Sequence, residues 1–446
     1  MSQQKAPKVK GAYLYAAGMI SYNLEYTFIA NLTYALTNSF GISAMAAGTI
    51  FLISRIFDGF TDILAGVIID RWNPKVGKAR VYDLLHLPLW LCVVLLFSVP
   101  EVSMTAKLIW VFVLYNTVQS VIATFMNVSE PLRLQRSFPE QARLKVMGVT
   151  SIGSLIFGVI MGFLLPQLIK IYGAQPYGWT IIASIFAVPM AIFGLMRFFL
   201  LPELPQKEST KISQKLTIGD CLKALVQNKY ALLYGVVMIC WAMFNTLASG
   251  SQNYFFQYIY GDIGGLSALS IATLLTIGFV ALVPRITEKF GRVQTVRFGL
   301  TVTFFGCIGR LLMPHNLIWL VLMQFLALGG IMTLSFMKPL LTIDCITYGK
   351  WKTGNAVEAA YSTVNSLADK LGLGLGSFAL GAILDMGKFD GALAVQPDSA
   401  VFTIKMLYTV LPAALMAIAL FALAFYNLEK RLPQMEQDLA ARETSH

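Results

Sequence analysis

Arg55, Asp58 and Asp62 stand in the string SRIFDGFTD, inside a long apolar stretch near the N-terminus. Steps of three and four residues place all three on one face of a helix. A charge at bilayer depth costs on the order of 2.5–3.5 kcal/mol on insertion scales, so this face must turn toward a bundle interior or a wet cavity. Two carboxylates held close together there have two chemistries open to them. They can take a small hard cation such as Na⁺, with Thr61 on the same helix and Thr124 and Asn127 further along supplying hydroxyl and amide oxygens. Alternatively they can share a proton, because two like charges in a low dielectric cannot both stay ionised cheaply. A plainer reading makes Arg55 a structural counter-ion of Asp58 or Asp62.

Other ionisable groups interrupt apolar runs. Glu25 lies in SYNLEYTFIANL, Lys338 in LSFMKPLLTID beside Pro339, and Lys370 in STVNSLADKLGLGLG. Proline should kink its helix and release backbone carbonyls. A buried ammonium needs a carboxylate or a substrate, and Lys338 with Lys370 would suit an anionic ligand. The alternative is internal pairing with Glu25 and an aspartate. Asp369, next to Lys370, points about 100° away from it on a helix. Trp241 and Asn245, one turn apart, offer an aromatic face and an amide. Gly372, Gly374 and Gly376 imitate part of a dinucleotide loop, but no strand precedes them, and close helix approach is the expectation.

The elements that must carry these groups are helices. The chain has 446 residues, 57% hydrophobic and only 13% charged, with a mean hydropathy of +0.66, where ordinary globular domains run about 25% charged. A spanning helix needs roughly 20 apolar residues. Segments of that kind recur at 12–37, 42–69, 81–100, 106–132, 146–172, 177–201, 229–259, 264–284, 295–313, 317–347, 356–385 and 401–427. None alternates like a barrel strand. The expected fold is an all-α membrane protein of twelve transmembrane helices. It would comprise a six-helix bundle over 1–201, a central loop over 202–228, a second six-helix bundle over 229–427 and a tail over 428–446.

The net charge of +11 follows that topology. An even number of spans puts both termini on one side. Lys5, Lys8, Lys10, Arg71, Lys75, Lys78, Arg80, Arg133, Arg136, Arg143 and Lys145 fall there, as do the basic residues of 207–229, 285–297, 350–352 and the tail. The opposite side has little beyond Lys107, Lys170, Lys388 and Lys405. Positive loops mark the cytoplasmic side, so both termini are expected in the cytoplasm of a cell with this protein in its plasma (inner) membrane. The basic charge then needs no nucleic-acid partner. Five scattered cysteines and three distant histidines suggest neither disulfides nor zinc. The first apolar run is too long for a cleaved signal and is expected to stay as a span. No nucleophile–base set or phosphate loop suggests an enzyme.

The longest polar interval, Pro202 to Asn228, separates two related halves. Gly66-x-x-x-Asp70-Arg71 follows the second span and Pro284-x-x-x-Glu288-Lys289-Phe290-Gly291-Arg292 the eighth, 218 positions later. Each string would make a charged latch between neighbouring helices, and their spacing at half the chain length argues for a duplicated 6+6 transporter with its site between the halves.

This plan resembles the major facilitator superfamily. Arg55-Ile56-Phe57-Asp58-x-x-x-Asp62 with Gly77-Lys78-x-Arg80 resembles the glycoside–pentoside–hexuronide:cation symporters, the family of the melibiose carrier. So does Asp344-x-x-x-Tyr348-Gly349-x-x-Lys352-Thr353-Gly354-x-x-x-Glu358, with Lys370 twelve residues on. The resemblance covers essentially the whole chain. It implies that Asp58 and Asp62 hold the coupling cation, with Thr61 and Thr124 in support, and that Lys370 serves the site shared by sugar and cation. It places Arg55, Asp70, Arg71, Asp344, Lys352 and Glu358 in a charge and gating network. Asn127 stands where the melibiose carrier has an aspartate, which leaves H⁺ as well as Na⁺ open. The aspartate usual in the first helix is replaced by Gly18, Met19 or Tyr22, and Glu25 is its candidate substitute. Pro131 stands in place of a sugar-stacking tryptophan and Thr150 near an expected arginine, so the sugar pocket has been rebuilt. Glu130 is expected either in that pocket or at the end of its helix. The resemblance thus implies H⁺- or Na⁺-coupled symport of a glycoside or a uronide by alternating access. It implies no cofactor beyond the ion, and no partner beyond substrate and bilayer for a monomer. An exporter of lipid-like or drug-like molecules and a non-transporting sensor are the rival expectations.

Overall fold

The computed structural model describes residues 9–204, 228–280, 282–353, 358–429 and 431–444. Among them the regular structure is helical. α1 is Val9–Asn38 and α2 Ala44–Arg71, whose first turn is capped by the Ser43 side chain accepting from Ala46 N. A 3₁₀ turn, Arg80–Leu85, leads into α3, His86–Leu96. α4, Met104–Asn116, runs through a π-helical turn, Thr117–Ala123, into α5, Thr124–Ser137. α6 is Glu140–Tyr172 and α7 Gly178–Leu200. Then come α8 (Lys229–Phe255), a π-helical turn Phe256–Tyr260, a 3₁₀ turn Ile263–Ala268, α9 (Leu269–Val280) and α10 (Val283–Phe290). α11 is Arg292–Gly309, α12 Leu317–Thr353, α13 Glu358–Met386, α14 Asp398–Tyr408, α15 Val410–Ala424 and α16 Leu432–Thr444.

Seven helical runs among the described residues are long and apolar enough to cross a membrane. They are Met104–Ser137, Glu140–Tyr172, Gly178–Leu200, Lys229–Tyr260, Leu317–Lys352, Leu367–Met386 and Asp398–Ala424. The pair Ile263–Phe279 and Val283–Phe290 makes an eighth if it is one broken span. Helices also lie over the expected segments 12–37, 42–69, 81–100 and 295–313, although α2 carries three charges in its middle. Its other face explains the solvent it lives in. Ile53, Ile56, Phe57, Phe60 and Leu64 are exposed together, Phe60 by 65%. An outward stripe of large apolar side chains at helical spacing is what lipid requires and water penalises.

The chain divides into two compact units. The first comprises 1–210 with 256–267 and 384–397, the second 211–255 with 268–383 and 398–446. In the first, α1 packs on α6 and α7, α3 on α7, and α2 on α5. In the second, α11 packs on α12 and α15, and α8 on α15. Small residues set the approach of α13 to α8: a Cβ on Gly372 would sit 2.7 Å from Ile239 O, and one on Gly376 3.2 Å from Met243 O. Those two glycines therefore serve helix contact, not a phosphate loop.

Candidate functional site

In the first unit, α2 and the α4–α5 run bring three of the expected cation ligands, Asp58, Asp62 and Thr124, to one helix contact. Arg55 Nη1 lies 2.8 Å from Asp58 Oδ2, and Asp58 is buried. Ser120 Oγ donates to the other Asp58 oxygen. One turn on, Thr124 Oγ1 donates to Asp62 Oδ1 at 3.3 Å. Asn116, Ser120 and Thr124 are spaced by four residues, a polar stripe on one side of an apolar helix. Ser120 is a partner of Asp58 that sequence reasoning passed over, although that spacing was the available signal.

The π-helical turn adds a second missed residue. Gln119 is adjacent to Ser120, yet both reach the same cluster. Gln119 Nε2 donates to Glu25 Oε1 at 2.5 Å, and Arg55 Nη2 donates to Gln119 Oε1 at 3.4 Å and to Tyr115 Oη at 3.4 Å. Glu25 is fully buried, and its Oε2 has no hydrogen-bond partner among the described residues. A chain of polar contacts thus runs Glu25–Gln119–Arg55–Asp58–Ser120. π-turns of this kind recur at functional positions because they shift the register of one helix face against the next.

The remaining expected ligands of this unit stand apart from that chain. Thr61 Oγ1 donates to the main-chain carbonyls of Phe57 and Asp58, both at 3.3 Å, and Asn127 is exposed on α5. Asp70 and Arg71 are exposed at the end of α2, where the Asp70 main-chain carbonyl accepts from Lys78 Nζ at 2.9 Å. Among the described residues no three His, Cys, Asp or Glu side chains converge as a metal cage. The donor set of Asp58, Asp62, Ser120 and Thr124 suits a proton or a monovalent cation.

A second buried cluster corrects one reading of the charge pattern. Arg133, counted with the cytoplasmic loops, is only 1% exposed and bonds Asp83 Oδ2 through Nε at 2.9 Å. Arg197 Nη2 holds the other Asp83 oxygen at 2.6 Å and, through Nη1, Glu130 at 2.7 Å. Glu130 therefore lies nearly two turns inside α5 as an ion-pair partner and not at the helix end. Four charges cancel here, two of each sign. Gly18, at one of the positions where a first-helix aspartate was sought, lies against this cluster: a Cβ there would come within 2.6 Å of Arg197 Nε.

In the second unit Lys338 is neutralised locally. Its Nζ lies 2.5 Å from Asp369 Oδ2 and 4.8 Å from the centre of the Trp241 ring. The Lys338 main-chain carbonyl, beside the kink residue Pro339, accepts from Tyr234 Oη at 3.0 Å and Thr342 Oγ1 at 2.9 Å. Lys370, next along α13, is half-buried. Asn245 turns its amide to the Trp241 carbonyl at 2.8 Å. Asp344 receives Arg292 Nη1 at 2.6 Å, and Lys352 Nζ lies 5.8 Å from the Tyr348 ring centre. Glu358 begins α13, and its side chain lies outside the described residues.

The two units repeat one device that the loop motifs only hinted at. Glu203 accepts from the main-chain N–H groups of Lys78, Ala79 and Arg80 at 3.2, 2.7 and 2.6 Å. Glu429 accepts from Arg292 and Val293 N–H at 2.7 and 3.0 Å. Each carboxylate sits at the start of a helical turn, where free N–H groups and the dipole favour an anion. A glycine precedes each, Gly77 at φ 123° and Gly291 at φ 87°. A Cβ at either would meet the glutamate at 2.9 Å.

A polytopic helical chain that shields ion pairs on inward helix faces, against an outward apolar surface, defines an integral membrane protein. The comparisons agree and go further. The sequence model of the MFS/sugar transport protein family matches residues 14–430, and the chain belongs to that family. It is 26% identical over 442 residues to the isoprimeverose transporter of Lactiplantibacillus pentosus, covering 96% of this chain and 90% of that protein. It is 26% identical over 410 residues to the putative glycoside/cation symporter YagG of Escherichia coli (strain K12), covering 89% and 87%. Its fold matches that of a bacterial homolog of the human lysosomal transporter Spinster, with a TM-score of 0.68 at 15% identity, over 96% of this chain and 98% of the other.

Proposed function

We propose that the protein is a cation-coupled sugar symporter that carries a glycoside or uronide into the cell, with Asp58 and Asp62 as the coupling-ion site. The observation that carries this reading is the pair of span-two carboxylates facing Ser120 and Thr124 on the neighbouring helix. Relatives named as an isoprimeverose transporter and a glycoside/cation symporter support a sugar substrate and cation coupling and do not favour an exporter of apolar molecules. The ion is H⁺ or Na⁺; either neutralises the carboxylates and frees Asp58 from Arg55. Substrate contacts fall to Glu25, Trp241, Asn245, Lys338 and Lys370. The architecture that suits this role is twelve spans in two six-helix bundles, 1–201 and 229–427, acting as a monomer in the inner membrane with both termini cytoplasmic. Alternating access follows if each ligand lowers the cost of burying the other, which is the coupling free energy.

The test is uptake of labelled sugars into proteoliposomes, with Na⁺ and pH gradients imposed separately. The double variant Asp58→Asn/Asp62→Asn is expected to lose gradient-driven accumulation while keeping exchange of sugar for sugar. Accumulation that survives in the double variant would overturn the ion-site assignment.

A further inference from the structure

We propose that Asp369, with Trp241 and Lys338, forms a subsite for neutral sugar hydroxyls, and that filling it opens the Lys338–Asp369 bond. The inference rests on the sugar-transport reading above and names its substrate class. Asp369 Oδ2 is taken by Lys338 Nζ at 2.5 Å, but Asp369 Oδ1 is buried with no partner among the described residues. The Trp241 indole N–H is likewise buried and unpartnered. Both residues touch the same ammonium, which lies 4.8 Å from the Trp241 ring centre. Leaving a buried donor and a buried acceptor unmatched is unfavourable, and a native site does so where a ligand completes it.

The missing partners specify the ligand. Asp369 Oδ1 needs a donor, whereas Trp241 Nε1 needs an acceptor. A hydroxyl group is both at once. Neighbouring hydroxyls of a pyranose can donate to Asp369 and accept from Trp241 and Lys338 together. The carboxylate group that distinguishes a uronide supplies acceptors alone: placed here it would compete with Asp369 for Lys338 and meet like-charge repulsion from the carboxylate it displaced. Because Asp369 already matches the charge of Lys338, this subsite has no spare cation for a second anion. Neither orphan atom is exposed, so a side chain must move before a ligand arrives. Lys338 is the flexible one, and its side chain and that of Asp369 are each about a quarter exposed. The ring contact suits the same ligand, since an indole face packs against the C–H face of a sugar while its N–H reaches a hydroxyl.

The test uses the full-length protein in proteoliposomes and a panel of methyl xyloside, methyl glucoside and methyl galactoside beside methyl glucuronide and methyl galacturonide. Wild type is expected to take up neutral members in preference to the uronides. Asp369→Asn and Trp241→Phe should each raise KM about tenfold or more with a smaller change in kcat, and Trp241→Phe keeps the ring and so tests the N–H alone. The exchanged pair Lys338→Asp/Asp369→Lys separates binding from structure: a purely structural ion pair would be rescued by the exchange, whereas the subsite would stay impaired. Preference for uronides, unchanged KM in both single variants, or full rescue by the exchanged pair would each overturn the proposal. Wild type that moves no member of the panel would instead overturn the sugar-transport reading beneath it.

Discussion

Gln119 bridges Glu25 and Arg55: its amide donates to the Glu25 carboxylate at 2.5 Å, and its carbonyl oxygen accepts from the guanidinium at 3.4 Å. One neutral side chain on a π-helical turn therefore joins a fully buried acid of α1 to the ion pair of α2. Coupling between two such sites needs a connected set of groups with more than one arrangement, and this bridge is where the two helices share one.

Replacing Gln119 by leucine keeps most of the volume and removes both hydrogen bonds. The buried Glu25 oxygen then has no donor, which is expected to lower unfolding stability by about 1–3 kcal/mol. Thermal unfolding of the purified variant in detergent measures it. Stability within a few tenths of wild type would mean the bridge is not a structural bond.

Arg55 and Asp58 make a sharper case. Their side chains are 14% and 4% exposed, so Asp58→Asn leaves a guanidinium largely desolvated and less well matched. Removing one member of such a pair costs up to about 3–5 kcal/mol, whereas removing both is often near neutral. The double variant Arg55→Gln/Asp58→Asn should therefore be more stable than Asp58→Asn alone, yet it should not regain gradient-driven uptake. If the double variant denatures as early as the single one, the pair is not what anchors Asp58.

How much of this was legible depended on whether a residue betrays itself alone. Asp58 and Asp62 did, because a carboxylate within an apolar run is intelligible only as a site or a pair. Ser120 and Gln119 carry no charge and so do not demand a counter-ion, and the π-helical turn that lets two adjacent residues face one cluster has no clear mark in the sequence. Arg133 was misread because a basic residue near the end of a span looks like topology. Asp83, fifty positions away, and the Arg197 and Leu201 carbonyls, more than sixty away, show that it is internal. Asp369 was expected to point away from Lys370, and an internal pair of Lys338 with an aspartate was one of the readings, but which aspartate could not be read from spacing because Asp369 lies on another helix. The loop motifs suggested a duplication, while the glutamates that close each loop come more than a hundred residues later.

The Lys170–Asp262 pair, joined at 2.9 Å and roughly half exposed on each side, gives a pH prediction. The hydrogen bond from Lys170 is the main cause holding the Asp262 carboxyl below its ordinary value, with help from the Gly264 N–H. A depressed carboxyl pKa contributes stability above the unfolded value, near 3.9, and loses it as pH falls through the folded one. Hydrogen exchange over 260–267 should therefore be flat from pH 7 to about 5, with local opening increasing below about pH 4 once intrinsic exchange rates are corrected. In Asp262→Asn that acid rise should vanish. The same rise persisting in the variant would assign it to another group.

Glu203 and Glu429 permit a test of the duplication itself. Each carboxylate receives backbone N–H groups at the start of a helical turn in its own half, three for Glu203 and two for Glu429. Each stands behind a glycine at positive φ that no Cβ could replace without striking it. Glutamine keeps the shape and one acceptor oxygen but gives up the charge that favours a helix N-terminus, so each single substitution should cost about 0.5–2 kcal/mol. The two sites share no partner, and the double variant Glu203→Gln/Glu429→Gln should lose about the sum of the single losses, as independent sites do. Denaturant unfolding of the four proteins measures this. A loss at one glutamate and none at the other would show that the likeness of the two loops is one of sequence pattern and not of mechanics.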